Sequence, residues 1–227
     1  MLRRVVFFIV APLLCAAALC GQSGYTLKTG GAATAAEVPA SVRAVLEPRA
    51  DILANSQGAT LCEIWWRKSI PEQKDGAASG DVLYGQLSVG EFLGVLRFPR
   101  AAKDYRGQPV SSGYYAMRYA LIPQDGNHMG VSAYRDFVLL VPIADNANPT
   151  QDMTFDALVK ASRLATSAGH PAVLMLDAAL QDPSAQYPSA SQDDQGNWAL
   201  NVKLDTISGR QPGQLTFALI LVGQYQG

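Results

Sequence analysis

The sequence predicts a mostly β domain, an antiparallel β-sandwich carrying one inserted or packed α-helix. Three observations lead there. Trp198, Leu200, Val202 and Leu204 alternate with Ala199, Asn201, Lys203 and Asp205, the period of a strand with one solvated face. Tyr114–Ile122 and Phe137–Val141 read as a strand and its return around a polar excursion. Helical spacing is clearest after Asp152, where Phe155, Leu158, Val159, Ser162 and Ala165 share a face. An α/β or α+β fold stays open beside the sandwich, since 137–176 reads strand–helix–strand and would suit a parallel crossover.

At the start, Arg3 and Arg4 precede an apolar run from Val5 to Leu19, with small residues following. That is the layout of a secretory signal over residues 1–21, so an exported protein, periplasmic or extracellular, is expected. Anchoring through a lipid on Cys20 is the alternative, although Leu19 stands where a lipobox carries a small residue. Residues 22–41, rich in Gly, Ala and Thr, are expected to form a flexible arm, and 42–227 a single β-rich domain.

Within that domain, Val42 to Leu53 suggests a short helix or a turn, and Thr60–Arg67 a strand. Its adjacent Trp65 and Trp66 must point to opposite faces. Glycines 85, 90 and 94 break up Leu83–Phe98, which reads as two short strands or a strand–turn–strand. Thr154 can cap the helix of 155–168, and Gly169 with Pro171 stops it before a strand at Ala172–Leu176. Gln181–Gly196 reads as a polar loop, and Leu215–Tyr225 as a last strand with two apolar faces.

Charge narrows the function classes. With Arg3 and Arg4 set aside, 16 basic residues face 19 acidic ones, and no Lys/Arg cluster marks a nucleic-acid surface. Nor is a membrane partner expected once the signal is removed. Of the three cysteines only Cys62 lies beyond the signal. It therefore has no internal disulfide partner and is expected to be a buried small hydrophobe. No Walker, HExxH or GxSxG pattern occurs.

Candidate site residues concentrate near the central strand pair. Asp125, Asn127, His128 and Met129, with Asp136 beyond, offer oxygen ligands for calcium and soft ligands for copper. Each set is incomplete, so a hydrogen-bonded loop is the simpler reading and no cofactor is assigned. Arg118 and Arg135 are expected to pair with Asp104, Asp125 or Asp136, fixing loop geometry. Trp65, Tyr119 and neighbouring tyrosines would offer a stacking platform for a sugar or aromatic ligand. His170, at the helix stop, suits the terminal carbonyls.

Several segments, Glu63–Trp65, Gly90–Phe98, Asp104–Gly107, Gly113–Tyr119, Pro123–Gly130 and Tyr134–Phe137, together resemble a group of exported bacterial proteins of unknown function. Gly113–Tyr119 also resembles the Gly-x-Tyr strand entry of extracytoplasmic β-sandwich modules. The resemblance implies an exported sandwich and transfers no activity. Two functions are weighed. One is a non-catalytic extracytoplasmic binding or interaction module for a protein, glycan or small molecule. The other is a metal-dependent or hydrolytic enzyme centred on 125–136, using His128, Asp125 and His170. Absence of a completed catalytic constellation favours the first.

Overall fold

The computed structural model describes residues 24–74, 76–125 and 132–223. Strand β1 (Tyr25–Gly30) leads to the short helix α1 (Ala40–Val45). Strands β2 (Ala50–Asn55), β3 (Thr60–Trp66) and the two-residue β4 (Ile70–Pro71) follow. An irregular loop then reaches β5 (Phe92–Phe98), the small hairpin β6 (Ala102–Lys103) and β7 (Pro109–Val110), and β8 (Gly113–Leu121). Strand β9 (Asp136–Pro142) and helix α2 (Phe155–Ser162) precede β10 (Val173–Asp177). The last strands are β11 (Ser189–Gln192), β12 (Trp198–Ser208) and β13 (Gln211–Val222).

The fold is mostly β. Among the described residues one sheet runs β1-β2-β3-β5-β8-β9-β10-β13-β12-β11. Every neighbouring pair in that order is antiparallel. So long a twisted sheet does not stay flat. It curls into a partly open half-barrel, and its two halves face each other as the layers of a sandwich would. Trp66 of β3 meets Phe217 of β13 edge-on, ring centroids 5.6 Å apart, although four other strands separate theirs in the hydrogen-bonded order. Near the two ends of that order, the rings of Tyr25 and Trp198 meet at 5.5 Å. Strand β4 helps hold the curl, because it leaves β3 within a few residues and pairs in parallel with β12.

Alternation gives the sheet two apolar faces. Inside the curl lie Cys62, Ile64, Trp66, Tyr115, Met117, Val138, Leu140, Leu174, Val202, Leu204, Phe217 and Leu219. On the outer face Phe92, Val95, Ala116, Leu139, Val141 and Met175 pack beneath Val42 of α1 and Leu158 of α2. The central strands are therefore covered on both sides, which is why β9 reads as a continuous apolar run. A register shift at Gly94 lets both Leu93 and Leu96 join the inner face. Gly94 is required there, since a Cβ would stand 2.3 Å from the Trp65 carbonyl oxygen.

Several expectations are corrected. Residues 22–41 are not simply an arm: β1 is laddered to β2, and Val38 is fully buried. An edge strand is held by backbone hydrogen bonds, which leave no apolar signature in composition. The strand–helix–strand unit exists, but β10 runs antiparallel to β9, so the parallel α/β alternative does not hold. Residues 83–91 form turns, leaving β5 as the one strand of 83–98. The helix ends at Ser162, earlier than Ala168, and tightens into a 3-10 turn at Arg163–Ala165. There the Ser162 hydroxyl accepts from the Ala172 amide and donates to the Ala172 carbonyl, tying the helix end to the next segment. The polar loop 181–196 contains β11.

Candidate functional site

Two neighbouring residues of β8 organise polar networks on opposite faces of the sheet. Arg118 points outward and Tyr119 inward, as strand alternation requires. Of the candidates chosen from sequence, Arg118 and Tyr119 therefore do not share one site.

Arg118 is 1% exposed, with its guanidinium over the Phe92 ring at 5.3 Å. Nε and Nη2 donate to the Asn146 side-chain oxygen at 3.0 and 2.7 Å. Nη2 also donates to the Asn148 carbonyl at 2.8 Å, and Nη1 to the Gly90 carbonyl at 2.8 Å. Longer contacts of 3.4 Å run from Nη1 to the carbonyls of Pro149 and Gln151. All five N–H groups are thus committed, and they fasten the loop after β9 to the sheet. The expected carboxylate link is corrected, since Arg118 bonds an amide and carbonyls. Burial lowers the Arg118 pKa to about 10, with Glu91 opposing the shift.

Glu91 lies beside this network and bonds Arg67 at 2.5 Å, the two side chains 15% and 11% exposed. Burial nevertheless raises the Glu91 carboxyl above its ordinary value, against the pull of Arg67. Here a pocket of about 220 Å³ opens between residues 88–91 and 149–153. Its wall includes Arg67, Ser88, Glu91, Arg118, Gln151 and Asp152. Sequence reading picked out Arg118 but neither Arg67 nor Glu91; that pair is separated by 24 positions and carries no motif.

Inside the curl, Asp136 is fully buried. Its carboxylate accepts the Tyr119 hydroxyl at 2.6 Å and the amides of Leu83 and Tyr84 at 2.8 and 3.0 Å. Tyr84 in turn donates its hydroxyl to the Asp177 carbonyl at 2.5 Å. Burial and the nearby carboxylate push both phenols far above their ordinary range. These groups anchor the loop of 72–91 to β9. Arg135 does not meet Asp136 in an ion pair; its Nη1 lies 3.9 Å from Asp81, and its Nε donates to the Ile122 carbonyl at 2.7 Å.

Trp65 is buried on the outer face, where its indole N–H donates to the Gly31 carbonyl at 2.9 Å. Its ring lies 6.3 Å from that of Tyr114, so the second layer, not open surface, takes it. Asp125 is exposed, whereas Asn127, His128 and Met129 lie outside the described residues. His170 is exposed, and its carbonyl accepts the Thr166 hydroxyl at 2.6 Å. Among the described residues no group of three or more His, Cys, Asp and Glu side chains is arranged to hold a metal ion. Asp104 closes one further polar knot, accepting the amides of Arg106, Gln108 and Val173.

No family model, curated protein or solved structure matches the chain.

Proposed function

We propose that this protein is a non-catalytic extracytoplasmic binding module that takes a small polar molecule in the pocket between residues 88–91 and 149–153. The observation that carries the reading is the construction of that pocket. One wall is the junction of β3 and β5, where Arg67 and Glu91 pair at 2.5 Å. The opposite wall is a loop pinned by Arg118 to the centre of the sheet. A polar recess with walls fixed in advance loses little conformational entropy on binding. Its volume of about 220 Å³ is below that of a drug-sized cleft, which suits a small ligand. Other polar candidates serve internal purposes: Tyr119 and Asp136 hold each other, and Trp65 is covered. The signal-like start supports an extracytoplasmic place of action.

A thermal-shift screen of the purified protein against small polar molecules tests this reading. Ligands that raise Tm for the parent protein and fail to do so for Arg67→Gln would support it. Turnover of ester or peptide substrates that disappears in Asp125→Asn and His128→Ala would overturn it in favour of a hydrolase.

A further inference from the structure

We infer that the pocket recognises a small carboxylate monoanion, bound by the open edge of Arg67; the inference rests on the binding-module reading. Two features of the wall carry it, one of hydrogen bonding and one of charge.

Arg67 spends one nitrogen on Glu91, its Nη1 donating to Oε1. The remaining donors, on Nε and Nη2, have no protein partner among the described residues, although the side chain is only 11% exposed. None of these nitrogens is sealed from solvent. An acceptor entering the pocket would take over the hydrogen bonds that these donors otherwise make with solvent. Donors left on one edge of a planar fork match the two oxygens of a carboxylate. Arg118, in contrast, is fully committed and contributes only its charge.

The charge count points the same way. Buried in the wall are two guanidiniums, Arg67 and Arg118, and a single carboxylate, Glu91. Asp152 is the other acid in the lining; it is exposed, so water weakens its effect, although its charge still reaches Arg118. The buried part of the wall, two guanidiniums against one carboxylate, therefore holds one surplus positive charge that the exposed Asp152 offsets only in part. A monoanion balances it, while a dianion or a cation would not. Glu91 Oε2 makes no hydrogen bond among the described residues, and a hydroxyl next to the ligand's carboxylate would complement it. At about 30 Å³ per water, the volume equals roughly seven waters, which suits a carboxylic acid of a few carbon atoms.

The test uses acetate, glycolate and the neutral isostere acetamide as probes, at constant ionic strength set with chloride. Binding is read from the backbone amide shifts of Glu91, Phe92 and Gln151 in a titration followed by NMR. Acetate and glycolate should shift these amides saturably, with glycolate the tighter, and acetamide should not. Arg67→Gln should weaken glycolate at least tenfold. Glu91→Gln keeps the acceptor of the Phe92 amide but removes the competing carboxylate, so it should tighten acetate several-fold, an effect that a purely structural Arg67–Glu91 pair would not produce. Equal binding of acetamide and acetate would overturn the carboxylate assignment and leave the binding module standing. No saturable shift with any of the three probes would overturn the assignment too. A screen without hits in the parent protein would instead remove the binding reading on which it rests.

Discussion

Tyr119 and Asp136 meet inside the curled sheet, the phenol donating to the carboxylate at 2.6 Å from one strand to the next. The two residues sit two positions out of direct register, on one face of the sheet, since Tyr119 faces Val138 and Asp136 faces Leu121. The contact closes a longer chain. Asp136 also holds the amides of Leu83 and Tyr84, so a loop remote in sequence is docked on β9 by one carboxylate. Hydrogen bonds to an ionised acceptor in a low-dielectric interior are the strong kind.

Tyr119→Phe removes one donor from that carboxylate and changes little else in volume. A loss of about 1.5–3 kcal/mol in unfolding free energy is expected, measured by urea denaturation. Asp136→Ala should cost more, because it also strands the amides of Leu83 and Tyr84. Limited proteolysis of Asp136→Ala should cut first within 72–91. Equal stability of the Tyr119→Phe and parent proteins would show that the contact contributes nothing.

Arg118→Lys keeps a positive charge but replaces a five-donor fork by a three-donor ammonium. It cannot span the Asn146 side chain and the carbonyls of Gly90 and Asn148 together. Uncovered carbonyls and a poorly held buried charge should cost about 3–5 kcal/mol. Hydrogen exchange should speed up in 146–153 before it does in β8. Uniform acceleration over the whole sheet would mean instead that Arg118 supports the fold as a whole and not this loop.

Gly94→Ala tests the bulge. The added methyl would lie 2.3 Å from the Trp65 carbonyl oxygen and 3.0 Å from the Trp66 Cα, both backbone atoms that cannot swing aside. Either β3 and β5 separate or the register slips, which would turn Leu93 or Leu96 away from the inner face. Loss of several kcal/mol is expected, on the order of severe overpacking, visible as a fall in Tm. An alanine variant that melts with the parent protein would refute the close approach.

Where sequence reading succeeded and where it failed follows from what each element exposes. Strand β12 was legible because one face is solvated and Lys203 and Asp205 mark it. Helix α2 was legible because Thr154 caps it, accepting the Ala157 amide at 3.3 Å, and its apolar period is helical. Strand β11, with Ser189, Ser191 and Gln192 around one alanine, pairs through its backbone and leaves no side-chain pattern. At Gly94 the bulge breaks the period of two, so β5 could not be phased from its apolar residues. Arg118 stood out as a cation within an apolar strand. Its partners did not, because carbonyl groups look the same at every position and Asn146 lies 28 residues away. Arg67 and Glu91 were invisible for the same reason: only folding brings their two loops together.

Cys62 gives the last prediction, on alkaline stability. Its side chain is fully buried on the inner face of β3, and burial pushes the thiol up to about 12 from an ordinary value of 9.0. Deprotonation begins earlier in the unfolded chain than in the native one. Between pH 9 and 12 the unfolded state is therefore stabilised preferentially, and the contribution of this group to folding is lost as pH rises through that window. Below pH 9 both states keep the proton and no dependence arises from it. Urea midpoints measured from pH 8 to 11 should thus fall more steeply for the parent protein than for Cys62→Ala. The variant starts lower, since removing a buried sulfur leaves a small cavity, so the comparison is between slopes and not between absolute values. Native protein at pH 8 should also resist a thiol reagent until urea unfolds it, because the thiolate is scarce and inaccessible. Parallel slopes for the two proteins, or rapid labelling of the native state, would show that the thiol is less enclosed than its place in the inner core implies.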